Sequence, residues 1–123
     1  MAAPNLIGAT TINGKTTGAN LTSTSATTIL DNPASSGKCL KINTLNVSNY
    51  SGSVVSITIN YNDAEALSGN NYPIVGAITV PANSTLNVID KSSQYYLEEN
   101  TSIGAIADNA NKLSVTVSYE DIS

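Results

Sequence analysis

The chain contains no His, Arg, Trp or Phe, and its 123 residues include only one Cys and five Lys. Each shortage removes a class of chemistry. Without His, the commonest general base and metal ligand are missing. Without Arg, and with a formal net charge of −4, there is no phosphate clamp and no basic stripe to follow a nucleic-acid backbone. A single Cys39 cannot form an internal disulfide, and this fits synthesis in a reducing compartment. Charged residues make up 11% of the chain, against about 25% in an average domain. No apolar run approaches the roughly 18 residues of a membrane span. The start, Met1-Ala2-Ala3-Pro4-Asn5-Leu6-Ile7, lacks the basic head and long apolar stretch of a secretory signal. Neither nucleic acid nor membrane is therefore expected as a partner.

What the chain has in quantity is 46 Ser, Thr and Asn. In residues 1–25 they surround Leu6, Ile7, Ile12 and Leu21 without a sustained period. This segment is read either as a floppy N-terminal tail or, more sharply, as an extended N-terminal arm ordered against a partner or on its own domain, with residues 1–20 dispensable for folding. Residues 26–123 are read as one β-sandwich domain. There the period is two. Val55, Ile57, Ile59 and Tyr61 alternate with Ser56, Thr58 and Asn60, and Leu113, Val115, Val117 and Tyr119 alternate with Ser114, Thr116 and Ser118. Ile74, Ile78 and Val80 share a face interrupted at Gly76, and Leu86 and Val88 continue the pattern. In Lys38–Tyr50, Leu40 and Ile42 have one parity, Leu45 and Val47 the other. A straight strand would flip its apolar face at Asn43-Thr44, so a β-bulge in one long bent strand is predicted there. Turn chemistry separates the runs, as in Asn32-Pro33-Ala34-Ser35-Ser36-Gly37 and Ser68-Gly69-Asn70-Asn71. The expected fold is all-β, an antiparallel β-sandwich or jelly roll of seven or eight strands with an extended N-terminal arm.

Candidate chemistry is sparse. Glu98 and Glu99 are adjacent, so on a strand they point to opposite faces and cannot share a proton. Asp63 with Glu65, and Glu120 with Asp121, offer oxygen atoms for a hard cation, but not in an EF-hand pattern. Gly14-Lys15-Thr16 ends like a phosphate-binding loop, but Gly8 precedes it by six positions where the motif needs five, and no helix follows. Lys38 and Lys41 flank Cys39, yet no orienting base is present, so Cys39 is read as an ordinary strand thiol. The sequence predicts no enzyme, no cofactor and no metal site. Tyr61 and Tyr119 end their strands in phase with the apolar face, and are read as core-edge residues. Tyr95-Tyr96 place one ring outward, a candidate interface anchor.

The segment Ile78-Thr79-Val80-Pro81-Ala82-Asn83-Ser84-Thr85-Leu86-Asn87-Val88-Ile89-Asp90-Lys91, then Tyr96-Leu97-Glu98-Glu99 and the ending Val115-Thr116-Val117-Ser118-Tyr119-Glu120-Asp121-Ile122-Ser123, resemble small virion structural proteins of tailed bacteriophages, especially marine ones. The opening Met1-Ala2-Ala3-Pro4-Asn5 with Gly14-Lys15-Thr16-Thr17-Gly18 resembles them too. The resemblance implies a β-rich protein made in the host bacterial cytoplasm and built into the virion, with no enzymatic motif. Its leading form is a capsid decoration or cement protein on the capsid surface. Homo-oligomers, such as trimers, would bind the major capsid protein or other virion proteins. Leu6, Ile7 and Ile12 in the arm, with Tyr95 and Tyr96, are the expected contact residues. The alternatives are a tail, neck or fibre-adaptor component, and a carbohydrate-binding β-sandwich module using the Tyr95 and Tyr96 rings.

Overall fold

A computed structural model describes residues 6–123. Nine strands follow one another: β1 (Ile12–Asn20), β2 (Thr27–Asn32), β3 (Cys39–Asn49), β4 (Val55–Asn62), β5 (Asn71–Val80), β6 (Thr85–Ile89), β7 (Tyr95–Leu97), β8 (Thr101–Ala107) and β9 (Leu113–Ile122). Single 3-10 turns lie at Leu6–Gly8 and Glu65–Leu67. The strands form two antiparallel sheets. One runs β1-β9-β3-β6, with β7 also pairing with β3, and the other runs β2-β8-β4-β5. The result is a β-sandwich.

The alternating pattern places its apolar half between the sheets. Ile42, Leu45, Val47, Ile57, Ile59, Leu113, Val115 and Val117 are all fully buried. Tyr61 and Tyr119 pack on the edge of this core. The phase change in β3 is a bulge: its register against β9 shifts between Ile42 and Thr44. The extra residue, Asn43, returns Leu45 and Val47 to the face that Leu40 and Ile42 occupy. β6 and β7 both run antiparallel to β3, at Leu45–Ser48 and at Leu40–Ile42, so they act as one strand interrupted at residues 90–94.

One open alternative is resolved and one sequence reading changes. Of the two settings open for an extended arm, Ile12–Asn20 takes the second: it is extended and ordered on the chain's own domain, as part of its sheet. It pairs with β9 in unbroken register from Ile12↔Ile122 to Asn20↔Ser114. Leu21, directly after it, is 1% exposed in the core. Residues 1–5 of the expected arm lie outside the described residues. The reading that changes is that of Ile78, which does not share the burial of Val80 but is largely exposed. β5 shifts register twice against β4, at Ile57/Ile59 and Ile59/Asn60, and Ala77 takes a left-handed φ of 51°, so its faces do not alternate cleanly.

A separate finding is that three Asn side chains, which nothing in the sequence singles out, are buried at strand ends. Asn32, Asn49 and Asn62 are each 1% exposed, and each is the last residue of its strand. The Asn32 amide donates to the carbonyls of Lys38 and Leu97, both at 2.9 Å. That of Asn49 donates to Ser53 and Val80 at 2.7 and 3.0 Å, and that of Asn62 to Leu67 and Ser68 at 3.1 and 3.3 Å. Each staples the following loop to the sheet by satisfying carbonyls that the ladder leaves open.

The loop after β4 covers the outer side of β8. Ser102 Oγ donates to the Ala64 carbonyl at 2.8 Å and accepts from the Leu67 N–H at 2.9 Å. A Cβ on Gly104 would stand 2.7 Å from Leu67 Cδ2, which is why the strand carries glycine there. Thr101 through Ala105 are consequently all buried, and β8 lacks the alternation that marks the other inner strands.

Candidate interaction surfaces

The nine carboxylates were the first candidates for chemistry, and most are committed to holding loops. Glu99 accepts from the Gly37 N–H at 2.9 Å, and Glu65 from the Ala34 N–H at 3.1 Å. Asp31 accepts from Ala66, and Asp108 from Ser56. Asp63 takes both the N–H and the side-chain amide of Asn70 at 2.7 and 3.1 Å. Asp90 accepts from the Ser92 N–H and hydroxyl at 2.9 and 2.6 Å, and these bonds lower its pKa. Among the described residues, no cluster of three or more Cys, Asp or Glu is placed to hold a metal ion. Asp63 and Glu65, neighbours in sequence, serve different loops.

Asp121 is the one buried carboxylate. It faces the half-exposed Lys15 at 3.1 Å and Lys38 at 3.2 Å. Burial alone would raise its pKa, but the two hydrogen bonds and the two charges outweigh burial and hold it below the ordinary value. A depressed carboxyl stabilises the fold fully above its unfolded value, near 4. That contribution is lost as pH falls through the lower folded value. We expect Asp121→Asn to cost about 1–2 kcal/mol at neutral pH and to flatten the stability profile below about pH 4. Urea melts across pH 2–7 check this, and an unchanged acid limb would refute it.

Cys39 is 2% exposed at the start of β3. Burial, and then the charge of Glu98, push the thiol pKa up, so the flanking Lys38 and Lys41 do not activate it.

Two surfaces hold the exposed residues singled out from the sequence. The first is a corner formed where the N-terminal segment meets the end of β9. The N–H groups of Thr10 and Thr11 donate to the Ser123 carbonyl at 2.8 and 2.9 Å, and the Ser123 N–H returns a bond to Thr11 at 2.9 Å. This clamp holds the turn at Leu6–Gly8 over a cavity of about 360 Å³ whose lining includes Ala9, Cys39, Glu99 and Ile122. Leu6, Ile7 and Ile12 stand out from the corner, 40%, 96% and 62% exposed. The three apolar residues singled out from the sequence are thus gathered at one end of the first sheet.

The second surface is a cleft of about 300 Å³ lined by Tyr61, Tyr72, Pro73, Ile74, Tyr95 and Tyr96. It lies between β4 and β5 of one sheet and β7 of the other. Four of the six tyrosines meet here. The rings of Tyr61 and Tyr72 are 6.2 Å apart at 34°, brought together by the Tyr61↔Tyr72 register of β4 and β5. Burial, and then the charges of Glu98 and Asp63, raise the Tyr61 pKa. The sequence places one of the Tyr95 and Tyr96 rings outward and the other inward; in the structure both are exposed and both line the cleft. Tyr61 and Tyr72 were not singled out with them, because only strand register brings them there.

No family model matches the chain, and no curated protein matches it. Its fold is similar to that of a chain from Bacillus endospore appendages, which form a family of disulfide-linked pili. The TM-score is 0.55 at 11% identity, over 100% of this chain and 96% of the other. At that identity the likeness is one of fold. A component of the cyanophage Pam1 capsid asymmetric unit aligns over 99% of this chain and 91% of its own, at 15% identity and a TM-score of 0.33.

Proposed function

We propose that this chain is a structural subunit of a bacteriophage virion, most specifically a capsid decoration or cement protein that binds the shell through its N-terminal corner. In this reading it is no enzyme, and its partners are the major capsid protein and further copies of itself at the capsid surface. The observation that carries the reading is the exposure of Leu6, Ile7 and Ile12 together, on a segment clamped to the sheet by Ser123. Exposed apolar side chains on a segment whose backbone is already bonded to the sheet suit burial against a protein partner, because less backbone ordering remains to be done on binding. Counting β6 and β7 as one strand gives two four-stranded sheets in the manner of a jelly roll, an architecture that viral capsid domains use among many others. The resemblance of the strand sequences to small phage virion proteins points the same way.

The test is decoration of purified, undecorated particles. Ile7→Asp combined with Ile12→Asp is expected to weaken binding at least about tenfold, as loss of central apolar anchors does, with the circular dichroism spectrum unchanged. Full decoration by the double variant would sink the proposal. Copy number in native particles separates decoration, which scales with the shell subunits, from a tail, neck or fibre-adaptor role, which is limited to a small ring.

The tyrosine cleft favours a second reading, a carbohydrate-binding module. Four tyrosines lining a shared cleft of about 300 Å³ supply aromatic rings for stacking and hydroxyls for hydrogen bonds to a sugar. Titration with glycans is expected to show binding that Tyr95→Ala and Tyr96→Ala each abolish. Absence of binding across a broad glycan array would discard this reading and leave the cleft as sandwich-edge packing.

A further inference from the structure

The four sheet edges are not equivalent. β5 carries Pro73, two register shifts and a left-handed Ala77. β2 has a bulge between Thr28 and Leu30, is followed by Pro33, and is bridged to the neighbouring loop through Asp31 and the Ala66 N–H. β6 and β7 present only five and three residues. Proline, bulges, short length and covering loops are the means by which sheets block pairing with other chains. β1 has none of them. It runs nine residues in unbroken register against β9.

The direction of its free backbone groups follows from its ends. Thr11 and Ser123 exchange both backbone bonds, and the Leu21 N–H donates to Leu113. Hydrogen-bonded pairs alternate along an antiparallel ladder. The odd-numbered residues of β1 therefore bond β9, and the N–H and C=O groups of Ile12, Gly14, Thr16, Gly18 and Asn20 point away from the sheet. Lys15 is the only charged residue on the strand. An inward lysine often guards an edge, but this one is neutralised by Asp121 at 3.1 Å.

We infer that β1 pairs antiparallel with β1 of a second copy about a two-fold axis through Thr16. This register sets Thr16 against Thr16, Gly14 against Gly18 and Ile12 against Asn20, so every outward residue meets an outward residue. About ten backbone hydrogen bonds form across the axis, and the first sheet continues through both copies. Lys15 falls opposite Thr17. Moving the axis to Lys15 would oppose the two lysines at the closer, non-hydrogen-bonded spacing, where like charges repel. Moving it to Thr17 leaves Ile12 unpaired. The central register alone uses the whole strand without a charge conflict. An isologous contact of this kind closes at two copies.

This inference does not rest on shell binding, and it is tested on the free full-length protein. Sedimentation over a concentration series is expected to show a monomer–dimer equilibrium. Thr16→Pro removes an outward N–H and leaves the β9 ladder intact. Thr16→Lys places two lysines across the axis. Each is expected to weaken the dimer at least about tenfold; Thr16→Lys keeps the test valid should the proline variant fail to fold. Thr79→Lys, on the β5 edge, is expected to leave the dimer unchanged. A monomer at all concentrations, a trimer or open-ended oligomer, or a dimer broken by Thr79→Lys but not Thr16→Lys would each overturn the inference. A dimer that fails to decorate particles would count against the shell-binding proposal alone.

Discussion

Replacing Asn49 by alanine is expected to lower the stability of the domain by about 2–4 kcal/mol and its melting temperature by roughly 10 °C. The side chain is buried, and it satisfies both sides of a corner at once. Its amide donates to the Ser53 and Val80 carbonyls, and its Oδ1 accepts from the N–H and hydroxyl of Ser51 at 3.0 and 2.7 Å. Alanine leaves these groups without partners where water does not readily replace them, and an unpaired buried polar group costs more than a hydrogen bond gains. Asn49→Asp separates the roles. It keeps the acceptor for Ser51 but loses both donors and buries a charge, so it is expected to be at least as damaging as alanine. Asn87→Ala, on the exposed side of β6, serves as the control, with an effect within about 0.5 kcal/mol. Thermal melts of the three variants decide the matter. A mild Asn49→Ala would show that the corner is held by its backbone alone.

Removing residues 1–20 is expected to destabilise the protein by about 3 kcal/mol or more, shown by a lower urea midpoint. A free arm would come off without effect. Here the deletion takes away β1 and so strips the ladder from the outer side of β9 along its whole length. It removes Ala19, which packs against the core, and the Lys15 partner of Asp121. It also lays open β9, whose sequence is far more apolar than β1, as a new edge, so aggregation is expected to accompany the loss of stability. A soluble truncated protein with an unchanged midpoint would show that β1 contributes little to the sandwich. For the same reason, point substitutions at Ile7 and Ile12 are a better probe of shell binding than truncation.

How much was legible differs from element to element. β4 and β9 have one face in the core and one facing outward, so their composition alternates and they could be read directly. The bulge at Asn43 was legible because burial on one face forces a phase correction wherever the parity changes. β8 gave a weaker signal because the Glu65–Leu67 turn covers its second face at Ser102 and Gly104, so both faces are buried there and composition does not alternate. β1 could be recognised as extended but not assigned to a sheet. As an edge strand it exposes most of its side chains, so it has no apolar face to show a period.

The candidate surfaces divide in the same way. Exposed Leu6, Ile7 and Ile12 stood out because large apolar side chains are rare in that stretch. The tyrosine cleft did not, since Tyr61 and Tyr72 reach Tyr95 and Tyr96 only when β4, β5 and β7 are assembled. The buried Asn32, Asn49 and Asn62 were hidden by their own abundance. In a chain with 16 Asn, nothing in composition marks the three that hold the strand ends.

The sequence by itself determined that this protein is all-β, that its core is aliphatic, and that histidine- and arginine-dependent chemistry is absent. These follow from residue type and local period, which act over a few positions. The tertiary structure decided where the N-terminal segment pairs, which amides are buried and which edge remains open. Those depend on contacts between strands far apart in the chain, where register and packing, rather than local preference, set the outcome.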